Sequence, residues 1–336
     1  EITYNRDNWT LAGIGASLFE AYEHYDHHRG MTSGALADVT FRNSFTIGND
    51  NVSSEAHKTF GPINGLLLEN LNTNGSDDAM SIQTEEAPEF AWPNQSEGDI
   101  WNVTVRKCRG QSANRAAGAG IVLYCANGYK FAGMVFEDCT GHSTQGAGFA
   151  ITYGNTFNGG TVEDLTLRNC EFSTANKATQ FAINIGCPVG ILTIENDKTK
   201  QSSNDEVAVL VQGAAYIKIM RVRGLFFEDA NYPSVVTRLW RIDGEISSLA
   251  FEDIRVSGNA SMFKFMEVSG RVDNLAITNS NLDNLYRVVK TNGTGRIDAI
   301  DLSSNHMSSC PSILELTNVT KPTKVVMNAN TFTDVG

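Results

Sequence analysis

Asp77 and Asp78 stand side by side just before the short apolar stretch "AMSI", and Glu85, Glu86, Glu89, Trp92 and Glu97 follow in one Pro-containing segment. Such a concentration of carboxylates exceeds what a solvated loop needs. Glycoside hydrolysis requires two carboxyl groups in different states, one protonated to serve the leaving oxygen and one ionised as base or nucleophile. Crowded like charges create that difference by raising the pKa of one member. Strand alternation after Met80 turns Glu85 outward and Glu86 toward the core or the loop. Asp78 and Glu85 are therefore the candidate acid–base pair, with Asp77 tuning them and with Glu86, Glu89 and Trp92 contacting substrate. The competing structural role for Asp77 and Asp78 is to cap a turn with Asn74 and Gly75. A carboxylate-rich loop can also bind Ca²⁺, but no D-x-D-x-D-G spacing occurs, nor C-x-x-C or H-E-x-x-H, so neither metal nor cofactor is expected. "YEHYDHHRG", residues 22–30, reads as a polar loop or as a saccharide or subunit contact.

The elements that must position these groups repeat along the chain. "VTVRKC" ends at Cys108, "MVFEDC" at Cys139 and "LTLRNC" at Cys170, two intervals of 31 residues by subtraction. The same frame ends at Ser44, Leu71, Asp197, Leu225, Ile254, Ser280, Asn305 and Asn330. Periods of 20 to 50 residues signal a repeat architecture, and each unit alternates with period two rather than 3.6. The expectation is an all-β, single-stranded parallel β-helix of about eleven rungs, one domain over residues 1–336. The interval of 37 residues from Leu71 to Cys108 exceeds the others, which places the carboxylate segment in an insertion, where function concentrates.

A second strand pattern per unit aligns Met80 and Ile82 with Ile121 and Leu123, Phe149 and Ile151, and Phe181 and Ile183 as inward residues. Ser81, Val122, Ala150 and Ala182 then point outward. With Gly118-Ala119-Gly120 and Gly146-Ala147-Gly148 they form a floor of small residues on which a polymer could lie, flanked by Tyr124 and Tyr153 for ring stacking; Arg115 is a further substrate contact. The alternative is that the glycine-rich triplets are simply tight turns. The cysteines at matching positions predict a buried ladder of free thiols. Cys125 and Cys187, two turns apart, are read as too distant to bond.

The whole pattern resembles the right-handed parallel β-helix of the pectin-lyase-like superfamily, and most closely the bodies of bacteriophage tailspikes that cleave bacterial surface polysaccharides. The resemblance implies a homotrimeric, extracellular protein of the virion tail. "SDDAMSI" also resembles the paired-aspartate strand of polygalacturonase-type glycosidases, which implies catalytic roles for Asp77 and Asp78; the companion "NTD", "GHG" and "RIK" signatures are absent.

A net charge of -12 argues against a nucleic-acid partner. It disfavours a strongly acidic polymer as substrate unless basic side chains cluster locally. No apolar run of about 18 residues is present, so no membrane insertion is expected. The function expected is a polysaccharide depolymerase of the glycoside hydrolase type, cleaving capsular or O-antigen polymer. The alternatives are a lyase acting on a uronic-acid polymer, with Arg115, His57 or Lys58 as base, and a non-catalytic glycan-binding adhesin.

Overall fold

The computed structural model describes residues 2–3, 36–47, 56–84, 98–113, 118–125, 128–153, 159–175, 181–198, 207–228, 238–258, 263–317 and 322–334. These residues form a parallel β-solenoid without helix. Its first face stacks strands such as Ile100–Arg106, Lys130–Glu137 and Thr161–Arg168. Its second face runs from His57–Phe60 through Met80–Gln83, Ile121–Tyr124 and Phe149–Thr152 to Leu314–Leu316. Short strands such as Arg109–Ser112 and Thr140–Ser143 make the third wall. Because the strands are parallel and in register, like residues lie over like: Leu165 sits between Met134 and Leu192, and Leu167 between Phe136 and Ile194. These inward side chains are fully buried and form one continuous core.

The recurring sequence frame is explained by a corner. The residues Asn43, Asn70, Lys107, Asp138, Asn169, Asn196, Gly224, Asp253, Asn279, Ser304 and Ala329 all have φ between 50° and 67°. That left-handed conformation bends the chain from the first face into the third wall, and Asn, Asp and Gly tolerate it best. Asparagines at these corners also bond one another; Asn70 Nδ2 donates to Asn43 Oδ1 at 2.8 Å. Each repeat position from Ser44 to Asn330 is the residue that follows a corner. Counted as turns, the coil has about eight rather than the expected eleven. A corner marks one edge only and does not always open a complete turn: after Asn196 no strand of the third wall follows among the described residues, and the last described corner leads into Thr331–Thr333 without a following strand on the second face.

The residue before each corner builds a second regularity. Arg42, Glu69, Arg106, Glu137, Arg168, Glu195, Arg223 and Glu252 alternate in sign on consecutive turns. Glu69 lies 2.7 Å from Arg106 and 3.9 Å from Arg42. Arg168 lies 3.5 Å from Glu137 and 2.8 Å from Glu195, and Arg223 is 2.6 Å from Glu252. Opposite charges directly across parallel strands favour this register over a slipped one.

Cys108, Cys139 and Cys170 form the anticipated inward ladder, and all six cysteines are free and buried. The reading of Cys125 and Cys187 as far apart is wrong: their sulfurs are 3.4 Å apart. Tyr153, at the equivalent position of the intervening turn, is only partly buried, and the two thiols meet in the core. Burial and this contact push the Cys125 thiol well above its usual range. A thiol reagent should find all six cysteines in denaturant and essentially none in the native protein within minutes; rapid native labelling of any of them would contradict the packing.

Candidate functional site

Asp77 and Asp78 lie in the bend between Ile63–Gly75 and Met80–Gln83. The bend is fixed by the turns on either side. Ala56 N–H donates to the Asp78 carbonyl at 3.3 Å, and Ala79 N–H donates to the Ala119 carbonyl at 2.9 Å. These bonds drive the Asp78 side chain to the next turn, where Oδ1 accepts from Ala119 N–H at 2.6 Å and Oδ2 from the Tyr124 hydroxyl at 2.6 Å. Asp78 is only 2% exposed.

Burial, and then the charge of Asp77, pushes the Asp78 carboxyl up to about 6 against an ordinary 3.8; the Ala119 N–H, the Tyr124 hydroxyl and Lys58 pull the other way and lose. Tyr124 is itself held well above 10 by burial and by Asp78. It therefore keeps its proton and remains a donor. The result is a carboxyl that is half-protonated near pH 6 inside a fixed hydrogen-bond frame, which meets the pKa requirement of a general acid while both oxygens are engaged within the protein.

Of the residues singled out from the sequence, Asp77, Asp78 and Tyr124 come together. Tyr153 does not join them and packs against the core instead. Glu85, Glu86, Glu89, Trp92, Arg115 and the segment 22–30 lie outside the described residues. The base of the insertion is closed, with Gly98 N–H donating to the Thr84 carbonyl at 2.8 Å. His57 points into the core, meets Phe41 edge-on and bonds Thr59 at 3.0 Å. Burial lowers its pKa to about 4, so it is a neutral core histidine and not a surface base. The alternation that turns His57 inward turns Lys58 to the opposite side of that strand, where its charge acts on Asp78.

The floor of small residues is not bare. Ser81, Val122 and Ala150 are buried. Ala119, Val122, Ala147 and Ala150 form an apolar layer of their own with Tyr124 packed on it. The glycines there answer to close backbone approach: a Cβ on Gly120 would lie 2.5 Å from His142 N, and one on Gly148 would lie 2.6 Å from Ser173 N. The register also slips at the fourth strand. Phe149 and Ile151 pair with Ile183 and Ile185, so Asn184 faces outward, whereas Ala182 is in the core.

Further along the same face, the sequence reading missed a charged cluster. Glu267, nearly buried, pairs with Arg238 and at 2.9 Å with Lys264; Glu315 pairs with Arg287 and lies 3.7 Å from Lys290. Its only signal in the sequence is a basic residue opening three registered strands, "RLWRI", "KFMEV" and "RVVKT". Among the described residues no group of His, Cys, Asp and Glu could hold a metal ion. No family model matches the chain, and no curated protein or solved structure matches it either.

Proposed function

We propose that the protein is a polysaccharide depolymerase that hydrolyses glycosidic bonds of a bacterial capsular or O-antigen polymer, with Asp78 as general acid. The observation that carries this reading is the Asp78 carboxyl, held near pH 6 by burial and Asp77 while Ala119 and Tyr124 fix its geometry. Glu85 remains the proposed partner carboxylate, and attachment to a virion tail as a trimer remains part of the proposal. A lyase is the weaker variant, because His57 is lost as a base. One observation favours a non-catalytic glycan-binding protein instead: both Asp78 oxygens are engaged and the side chain is buried, which is also how a structural strut is made.

Incubation with a panel of bacterial surface polysaccharides, read by fragment mass, separates these. Hydrolysis adds one water per cut and leaves no ultraviolet absorbance, whereas lyase products absorb. The expected result is shortening of at least one polymer without absorbance. Retention of polymers with no shortening of any would establish the binding protein and end the enzymatic reading.

A further inference from the structure

The second face carries Asp78 near one end and a concentration of positive charge toward the other. Arg238, Lys264 and Arg287 register with one another on successive turns. Arg241, Glu267, Lys290 and Glu315 form the next column. With Asp243, which pairs with Arg241 at 2.8 Å, the described residues of the cluster comprise five cations and three anions. This excess sits in a chain of net charge -12. Most of the cations are not waving in solvent: the side chains of Lys264, Arg287 and Lys290 are 17%, 19% and 21% exposed, and that of Arg241 is 36% exposed.

Crowding has a cost that shows on Lys290. Burial first, and then the neighbouring Lys264, Arg287 and Arg238, lower its pKa, and Glu267 only partly offsets them. The first face differs. Its groove of about 570 Å³ also holds Arg168, Arg221 and Arg223, but Arg168 and Arg223 are each matched by a glutamate one turn away, and the cations there are fewer. Among the described residues the second-face cluster gathers five cations on three successive strands against three carboxylates, held in place by the sheet, with Arg287 further fixed over the Tyr286 ring at 4.0 Å. An added anion would relieve the repulsion, and guanidinium groups are suited to carboxylates.

We infer that the cluster of Arg241, Lys264, Arg287 and Lys290 is a binding site for the anionic groups of an acidic polysaccharide, a remote subsite for the polymer that reaches Asp78. The inference rests on the depolymerase reading for its polymer and deepens it by naming the polymer's charge. Five strand steps separate Met80–Gln83 from Arg238–Ile242. Lys264 is one strand further and Arg287 and Lys290 two, so at about 4.8 Å per step the subsite spans roughly 24 to 34 Å along the axis, a distance a single extended polysaccharide can bridge. A chain of net negative charge repels polyanions in general, so attraction at this one place is diagnostic.

The test measures binding of a panel of carboxylated, sulfated and phosphorylated bacterial polysaccharides, each beside a neutral counterpart, the carboxylated ones being carboxyl-reduced. The expected result is that at least one anionic member binds and its neutral counterpart binds at least tenfold more weakly. Its affinity falls about tenfold between 50 and 500 mM NaCl, because partly exposed charges are screened. Lys290→Gln with Arg241→Gln weakens that binding about tenfold, while thermal unfolding shows the double variant folded; Lys290→Gln alone supplies a milder second variant. Absence of salt-dependent binding to every anionic member overturns the inference, and so does undiminished binding by both variants. Cleavage of a neutral polymer alone would leave the depolymerase standing and remove the subsite. Binding that depends on Lys290, with no polymer ever shortened, would keep the subsite and remove the depolymerase.

Discussion

Asp78→Asn will lose turnover and, above pH 7, gain stability. The folded protein holds the Asp78 proton up to about pH 6, and the unfolded chain releases it near 3.8. Between those values the native state binds more protons than the unfolded state. Stability therefore declines as pH rises through this window and is fully relieved of that cost only below about pH 4. At pH 8 the charged, buried carboxylate costs the wild type roughly 3 kcal/mol, an order-of-magnitude figure at 1.36 kcal/mol per pKa unit. Asparagine keeps the shape: its oxygen accepts from Ala119 N–H, and its amide donates to the Tyr124 oxygen. The variant's midpoint of thermal unfolding should exceed the wild type's by about 5 °C at pH 8 and converge on it at pH 4. Loss of a general acid should lower the rate about 10²–10⁴-fold. Wild-type kcat/KM should itself decline as pH rises past about 6, because the acid must be protonated to act. Near-normal turnover of the variant on a verified substrate removes Asp78 from the mechanism. A less stable variant at pH 8 removes the account of its burial.

The second large effect is expected in the backbone behind the site, one residue from Ala119. In Gly110→Ala the new Cβ would fall on the Gly120 carbonyl oxygen, with the Ile121 side chain 3.1 Å away. Gly120 leads into the second-face strand Ile121–Tyr124 and Ile121 opens it, so neither can yield without moving that strand. A backbone clash of this kind should cost about 3 kcal/mol or more. Gly213→Ala is the matched control. Its Cβ meets nothing nearer than the Asp243 oxygen at 3.8 Å, so the change should stay within about 1 kcal/mol. Urea unfolding of the three proteins reads the difference in midpoint. Equal midpoints would mean that the third wall is packed more loosely than described.

The period was legible because one conformational demand recurs. A left-handed corner calls for Asn, Asp or Gly, a core-facing residue must follow it, and a strand of alternating residues must precede it. "LTLRNC" carries all three demands at Leu165 to Cys170. The slip at Phe181 shows the limit of the same logic, since in "QFAINI" either pair of alternate apolar residues satisfies period two. Alternation also gives direction without exposure: Val122 and Ala150 do point away from the main core, yet they are covered. Rung counting gives backbone separation without side-chain reach, which is why the contact of Cys125 with Cys187 went unread. The cluster around Glu267 was invisible because its partner Arg238 is 29 residues away and neither strand looks unusual alone. Asp78 could be singled out from its neighbours in sequence, but its two hydrogen-bond partners lie more than 40 residues further on.

The alternating arginine–glutamate column has a consequence for how such a chain can change length. Excising residues 109–139 would remove one turn and leave every corner and core column intact, but it would seat Arg168 directly against Arg106. Excising residues 109–170 would remove two turns and bring Glu195 against Arg106, restoring the match. The column thus imposes a parity rule: along these eight turns the coil can gain or lose units in pairs while keeping its electrostatic seam, and an odd step leaves a defect that no local adjustment removes.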